Sequence, residues 1–414
     1  MVVGRDSRPS GEMLNRAVLA GLTAAGCDVD DLGVVPTPTA ALMVKRRGAA
    51  GGIIITASHN GQEWNALKFA GPDGRMLASP DFDQLLRTVT EGPLRSVPWD
   101  RLGRVNQWDG AEVAYISAVA GLRILNLERI KGKQIRVALD CVNGAGSHIY
   151  PRLLQALGCQ VVSLNCTPTG IFPHGPEPTP EHIGDLCRLV VKEKCAVGFA
   201  VDPDGDRLSA VDEEGIPLGE ELTLAAAMKP VLEQSPGPVV VNSLTSQVID
   251  DLAAKFGAVC HRAKVGEANV AAAMKELGAV VGGEGNGGLI YPELHYVRDA
   301  GVGMALILNE ISRSRRSLQK MRDELPAYFM VKRSHQLGNR SADELLTEIE
   351  HHYRYDQISR VDGLRIVDDS GWIHIRASNT EPILRVYAES TEQARAQKLI
   401  DDMLEQLNNQ TGTE

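Results

Sequence analysis

The sequence predicts an α/β protein of four domains around a central cleft, three of similar α/β (mixed-sheet) build and a smaller C-terminal α+β domain. Three observations carry the class and the domain count. Short apolar runs rich in Val and Ile alternate with helical patterns along most of the chain, and such alternation builds sheets covered by helices. A helix ending in glycine and followed by an apolar strand occurs three times, at Gly26, Gly158 and Gly257. Glycine just past a helix supplies the left-handed cap that ends it, so one copy per α/β domain is expected. The length, 414 residues, suits several domains of roughly 100–200 residues each.

In chain order, a helix is expected over 12–25 and a buried strand over 52–56, too short and too branched for a helix. A polar stretch at 126–132 marks a boundary before the next strand, 135–139, and the helix 149–157. The run 196–201 is a third apolar strand, and the Pro/Gly-rich segment 233–238 a second boundary. Strands at 238–241 and 279–281 enclose a helix over 245–256. Beyond the basic segment 313–332 the pattern changes to a strand pair near 373–376 and 384–387, then a long amphipathic helix from Thr391. The resulting domains are 1–128, 129–233, 234–334 and 335–414.

Charge and composition exclude several classes. Lys and Arg number 43 against 53 Asp and Glu, a formal charge of −10, so nothing supplies the broad positive field that nucleic acid or an anionic membrane requires. No apolar run approaches the roughly 18 residues of a membrane span, and the opening Met1–Asp6 lacks the apolar core of a signal peptide. Seven cysteines are scattered without a CxxC pair and read as reduced thiols of a cytoplasmic protein.

Four polar loops, one per domain, follow strands. Thr56-Ala57-Ser58-His59-Asn60-Gly61 lies beyond the carboxyl end of a strand, where open α/β sheets bind ligands. No Gly-x-Ser-x-Gly elbow surrounds Ser58, and alone the loop reads equally as a polar turn. Asp202-Pro203-Asp204-Gly205-Asp206-Arg207 sets three carboxylates at alternate positions, which repel unless a cation neutralises them. Oxygen ligands select a hard ion such as Mg²⁺. An EF-hand fails because Arg207 takes its glycine-demanding position and both flanks read as strands. Gly282 to Gly288 holds five glycines with Glu284 and Asn286 between them, allowing close backbone approach to a polyol, or merely a flexible turn. Arg376-Ala377-Ser378-Asn379-Thr380-Glu381-Pro382, with Arg385 nearby, groups donors suited to a phosphate dianion. A serine, a metal loop, a polyol loop and a phosphate loop together point to phosphoryl transfer on a sugar phosphate where four domains meet.

These four segments, in this order and spacing, resemble the signature loops of the α-D-phosphohexomutase family, and Gly4-Arg5-Asp6-Ser7-Arg8 resembles a further family segment. The resemblance implies an intramolecular phosphotransferase that interconverts hexose 6-phosphate and hexose 1-phosphate. It implies that Ser58 is carried as phosphoserine, that Asp202, Asp204 and Asp206 hold one Mg²⁺ against that phosphate, and that a 1,6-bisphosphate of glucose or glucosamine is intermediate and activator. Lys68, in Trp64-Asn65-Ala66-Leu67-Lys68, matches the family's general acid/base; His59 and Arg207 would lie beside the phosphoserine. Glu284 and Asn286 would contact sugar hydroxyls with help from Lys264, while Arg376, Ser378, Asn379 and Thr380, with Arg385, would grip the distal phosphate. Partners are then small hexose phosphates, with a monomer or homodimer both open.

Three departures accompany the resemblance. The opening domain is short of one strand and a Gly-x-Arg-Gly turn, which would expose a sheet edge. Gly61 stands where the family has proline, and Pro203 where it commonly has glycine. Glu284-Gly285-Asn286-Gly287-Gly288 and Glu63–Lys68 look most like the phosphoglucosamine mutase branch, with phosphomannomutase/phosphoglucomutase close behind. A sugar-phosphate phosphatase and a catalytically impaired sugar-phosphate-binding protein are the rival expectations.

Overall fold

A computed structural model describes residues 1–93, 96–313, 317–338, 340–353, 357–368, 371–378 and 381–411. It contains four sheets. In the first, the order is Leu67–Ala70, Gly52–Ile55, Val2–Arg5, Val29–Val34, Val105–Gln107. The second runs Leu208–Val211, Val197–Val201, Arg136–Asp140, Gln160–Leu164, and the third Gly288–Ile290, Val281–Glu284, Val239–Asn242, Cys260–Ala263. Written this way, the three share one topology. Three parallel strands carry an antiparallel hairpin strand on the same side, and only the first sheet has an added strand.

That shared topology gives the threefold glycine pattern its meaning. Gly26, Gly158 and Gly257 all have positive φ (81°, 87° and 69°) and end the helices Gly11–Ala24, Gly146–Ala156 and Val248–Lys255. Each turns the chain into the second parallel strand of its sheet. The hairpin loop between third and fourth strands is, in each unit, one of the polar loops picked out above: 56–66, 202–207 and 285–287. Three candidate functional loops thus occupy one structural position, repeated.

The fourth sheet, Phe329–Gln336, Ile383–Ser390, Gly371–Ala377, Leu364–Asp368, Gln357–Ser359, is antiparallel throughout. Helices Ala342–His352 and Gln393–Thr411 pack on it. Its core is separate: Leu345, Ile349, Ile375, Val386, Ile400 and Met403 form their own cluster. The first three units instead share a continuous core from Val2 to Met321. Helix Ala300–Ile311, buried at every position, and helix Gly219–Gln234 pack together within it. A helix apolar over most of its length belongs in a core rather than on a surface, and its one charged residue, Glu310, is paired there with Lys229 at 2.8 Å.

At the first sheet, Leu67–Ala70 forms one edge, and Leu67 is 40% exposed. All seven cysteines are free thiols. No helix of the described residues is long and apolar enough to cross a membrane.

Candidate active site

The strand Gly52–Ile55 delivers the chain to Ser58, whose φ of 50° lies in the left-handed region that costs a non-glycine residue energy. The turn is held from several sides. Ser58 N–H donates to Thr56 Oγ1 at 2.9 Å, and the guanidinium of Arg8 donates to the carbonyls of Ser58 (2.8 Å) and Asn60. Arg8 is fully buried, paired with Asp6 and 5.1 Å from the ring centroid of Phe172, on the second unit. Phe172 N–H donates to Gln62 Oε1 at 3.0 Å, so the second unit closes over the serine loop.

Ser58 Oγ donates to Asp202 Oδ2 at 3.2 Å. Potential ligand oxygens of Asp202, Asp204 and Asp206 all lie within 4.8 Å of one another. The loop is ordered by Asp202 itself, whose Oδ1 accepts the N–H groups of Asp206 (3.0 Å) and Arg207 (3.1 Å). Gly144 packs so closely on the backbone of Pro203 that a Cβ there would sit 2.6 Å from Pro203 Cα. Lys68 Nζ bridges Asp204 Oδ2 (2.7 Å) and Asp206 Oδ2 (3.0 Å), and Thr37 Oγ1 donates to Asp204 Oδ2 at 2.6 Å.

Burial and the charges of Asp204 and Asp206 push the Asp202 carboxyl well above the ordinary range. Burial works the same way on Asp204, but Lys68 and hydrogen bonds from its neighbours outweigh it and hold that carboxyl low. Burial likewise opposes the charge on Lys68, and the two carboxylates overcome it, so the lysine is held protonated. Asp204 Oδ1 and Asp206 Oδ1 are buried without a hydrogen-bond partner. Unsatisfied buried carboxylate oxygens are costly, and an all-oxygen set of this kind suits a hard divalent cation. The residues present fit a metal site.

His59 and Arg207 stand beside this cluster and line the adjoining cleft. Arg207 pairs with Glu177. Burial, then the charge of Arg207, lowers the pKa of His59 and favours its neutral ring.

Glu284 ends the strand Val281–Glu284 and is 3% exposed. Its Oε1 accepts Asn242 Nδ2 and Gly266 N–H, both at 2.9 Å, and its Oε2 accepts Arg298 Nη1 at 2.7 Å. Arg298 also donates to Asp206 Oδ2 at 2.7 Å and to Glu267 Oε2 at 3.2 Å. One buried arginine therefore joins the metal loop to the polyol loop. Asn286 lines the cleft and accepts Gly288 N–H at 3.2 Å. Lys264 is exposed at the start of its loop, while its neighbours Val265 and Gly266 line the cleft.

The cleft holds about 750 Å³ and draws its walls from all four units. Arg376, Arg385, Tyr387 and Glu389 of the C-terminal sheet face His59, Arg207, Glu284 and Asn286 across it. Arg376 Nε is 3.6 Å from Asp362 Oδ2 and Arg385 Nη2 3.6 Å from Glu381 Oε2, loose pairings that leave both guanidinium groups able to take an anion. Ser378 N–H donates to the Ile383 carbonyl at 2.9 Å, closing the hairpin. Asn379 and Thr380 lie outside the described residues.

Sequence reasoning missed Arg8 as the clamp of the serine loop, Thr37, Glu177 and Arg298. For Arg298 a signal existed: Arg298-Asp299 directly precedes a helix that is apolar from Ala300 to Leu308, where charged residues are forced into burial and need partners. Thr37 and Glu177 carried none, since contacts with partners 167 and 30 residues away are not visible in a local pattern.

Comparison with known proteins is consistent along the whole chain. Models of the phosphoglucomutase/phosphomannomutase alpha/beta/alpha domains I, II and III match residues 1–95, 113–215 and 219–329, and that of the C-terminal domain matches 333–406. A probable phosphoglucosamine mutase of Methanopyrus kandleri is 38% identical over 98% of this chain and 89% of its own length. A phosphoglucomutase/phosphomannomutase of Thermococcus kodakarensis is 36% identical over 97% of this chain and 88% of its own. The crystal structure of a phosphoglucomutase/phosphomannomutase family protein from Burkholderia thailandensis superposes with a TM-score of 0.86 at 26% identity, covering 99% of this chain and 88% of that one. An Aspergillus fumigatus N-acetylphosphoglucosamine mutase, solved with GlcNAc-6P and magnesium, shares the fold at 16% identity, with a TM-score of 0.62 over 90% of this chain and 92% of that one.

Proposed function

This chain belongs to the phosphoglucomutase/phosphomannomutase family and is a phosphohexomutase; from that premise we propose that it interconverts glucosamine 6-phosphate and glucosamine 1-phosphate through a phosphorylated Ser58. The observation that carries the reading is the 3.2 Å contact of Ser58 Oγ with the acidic cluster, at one end of a cleft whose far side presents Arg376 and Arg385. A hexose phosphate bound with its phosphate on those arginines would turn its free hydroxyl toward Ser58.

The chemistry follows as two transfers. The Oγ–P bond of phosphoserine breaks as an O–P bond forms to the sugar hydroxyl, giving a bound 1,6-bisphosphate. After that intermediate turns around, its other phosphoryl group returns to Ser58. The proton of the sugar hydroxyl is relayed to the departing Ser58 Oγ through Lys68, the expected proton carrier, whose ammonium gives one proton as it takes the other; His59 and Arg207 are the groups beside the phosphoryl oxygens, and Arg376, Ser378, Asn379, Thr380 and Arg385 the distal phosphate grip. Asn286 and Glu284 face the ring, with Lys264 an outer neighbour. Asp202, Asp204 and Asp206 would hold Mg²⁺, which supplies electrostatic stabilisation of the charge on the transferring group. A phosphoglucomutase/phosphomannomutase is the second reading, favoured by the Thermococcus relative.

A coupled assay with Mg²⁺ and glucose 1,6-bisphosphate tests the proposal on glucosamine 6-phosphate, glucose 1-phosphate and mannose 1-phosphate. Isomer formation fastest with glucosamine 6-phosphate supports it. Preference for glucose or mannose moves the assignment to the second reading, and phosphate release without isomer formation refutes mutase chemistry.

A further inference from the structure

Glucose, mannose and glucosamine phosphates differ at C2, so a residue that reads C2 decides among them. Glu221 sits in the first turn of helix Gly219–Gln234 and lines the cleft beside Ser246, Asn242 and the polyol loop. Its Oε2 accepts Ser246 N–H at 3.0 Å. Its Oε1 lies against the polyol loop, so close that a Cβ on Gly285 would sit 2.0 Å from it. The bare glycine is what lets this carboxylate stand at the loop.

Three of the remaining carboxylates of this wall are held by arginines. Glu284 and Glu267 are held by Arg298, Glu177 by Arg207, and Glu389 accepts from Trp372 Nε1 and Gln247 N–H. Glu220, Glu221 and Glu389 have no cation within ion-pair distance among the described residues, and of these three it is Glu221 that stands against the polyol loop, at Gly285, with one oxygen free of hydrogen bonds. An unpaired carboxylate is an unfavourable neighbour for a phosphate dianion unless the occupant also brings a positive charge. Burial, with Glu389 adding to it, pushes the Glu221 carboxyl up to about 8, which marks the same lack of a partner.

We propose that Glu221 reads the C2 position of the sugar, its free oxygen taking the ammonium group of a 2-amino-2-deoxyhexose phosphate. The assignment rests on the reading of the cleft as a hexose-phosphate site and narrows it to an amino sugar. A neutral 2-hydroxyl would also fit there but leaves the carboxyl protonated, whereas an ammonium group favours its ionised form and pairs with it, so selectivity follows from charge rather than size.

Calorimetric titration of the full-length protein and its Glu221→Gln variant with glucosamine 6-phosphate and glucose 6-phosphate tests this. Glutamine keeps the shape and can still accept Ser246 N–H, and a thermal melt checks the fold. The wild-type protein should favour glucosamine 6-phosphate, and E221Q should lower that preference at least about tenfold, the scale of one lost desolvated ion pair. An unchanged ratio, or no wild-type preference for the amino sugar, overturns the assignment. The coupled assay separates the two claims: amine-selective binding without isomer formation would sink the mutase reading and leave Glu221 its role, whereas isomer formation with an unchanged ratio would do the reverse.

Discussion

The ammonium of Lys68 stands 2.7 Å from Asp204 Oδ2 and 3.0 Å from Asp206 Oδ2, within the very carboxylates that would hold a divalent cation. Lys68, Arg298 and Arg207 all pair with Asp204 or Asp206, while Asp202 has no cation of its own among the described residues. Replacing Lys68 by Met should destabilise the metal-free protein by about 3–5 kcal/mol, the usual cost of breaking a buried pair. Added Mg²⁺ should restore more stability to the variant than to the wild type. Thermal melts with EDTA and with Mg²⁺ measure both; an equal Mg²⁺ response would contradict that pairing.

Arg298 joins Asp206 of one unit to Glu284 of the next. Removing it by Arg298→Met leaves buried Glu284 and Glu267 without their ion-pair partner and should cost about 3–5 kcal/mol in urea unfolding. A double-mutant cycle with Glu284→Gln should show a coupling above roughly 1 kcal/mol. Additive losses would mean that the two side chains do not act together.

Arg8 acts on the serine through its backbone. It donates to the Ser58 carbonyl and holds a left-handed turn that has its own cost. Arg8→Lys keeps the charge but not the fork of donors. A loss of about 10²-fold in kcat with little change in KM is expected, since misplacing a nucleophile by about 1 Å has that effect. A KM change alone would assign Arg8 to substrate binding instead.

His174 closes the second unit's loop by pairing with buried Asp140, Nε2 to Oδ2 at 3.1 Å, with Nδ1 on the Gly175 carbonyl. Burial opposes its charge, but Asp140 outweighs burial and raises its pKa. Asn165 also faces Asp140, and Asp185 acts at longer range. A raised folded-state pKa gives stability that is complete below the unfolded value, about 6.5, and is lost as pH rises through the folded one. His174→Gln should therefore cost roughly 1 kcal/mol near pH about 5.5 and less near pH about 9. Denaturant melts at the two pH values check the sign; a difference that grows with pH reverses it.

Much of this was legible in the sequence for a physical reason. Branched apolar runs, helix-ending glycines and polar loops beyond strands are local patterns, and they located Gly26, Gly158, Gly257 and the loops at Ser58, Asp202 and Glu284. The acidic triad could be read as a metal loop because like charges at alternate positions need a counter-ion. The partners of those residues were not legible. Lys68 meets Asp204 across 136 residues and Arg298 meets Asp206 across 92, pairings made by the stacking of separate units. The saturation of Glu284 by Asn242, Gly266 and Arg298 was hidden for the same reason, and with it the free oxygen of Glu221.

Whether Ser58 carries the phosphoryl group is measured most directly by intact mass and peptide mapping after incubation with glucose 1,6-bisphosphate and Mg²⁺. One added phosphoryl group, mapped to Ser58, absent from Ser58→Ala and discharged by glucosamine 6-phosphate, is the expected result. A wild-type protein that isomerises hexose phosphates while Ser58 stays unmodified, or an S58A variant with undiminished turnover, would contradict the account.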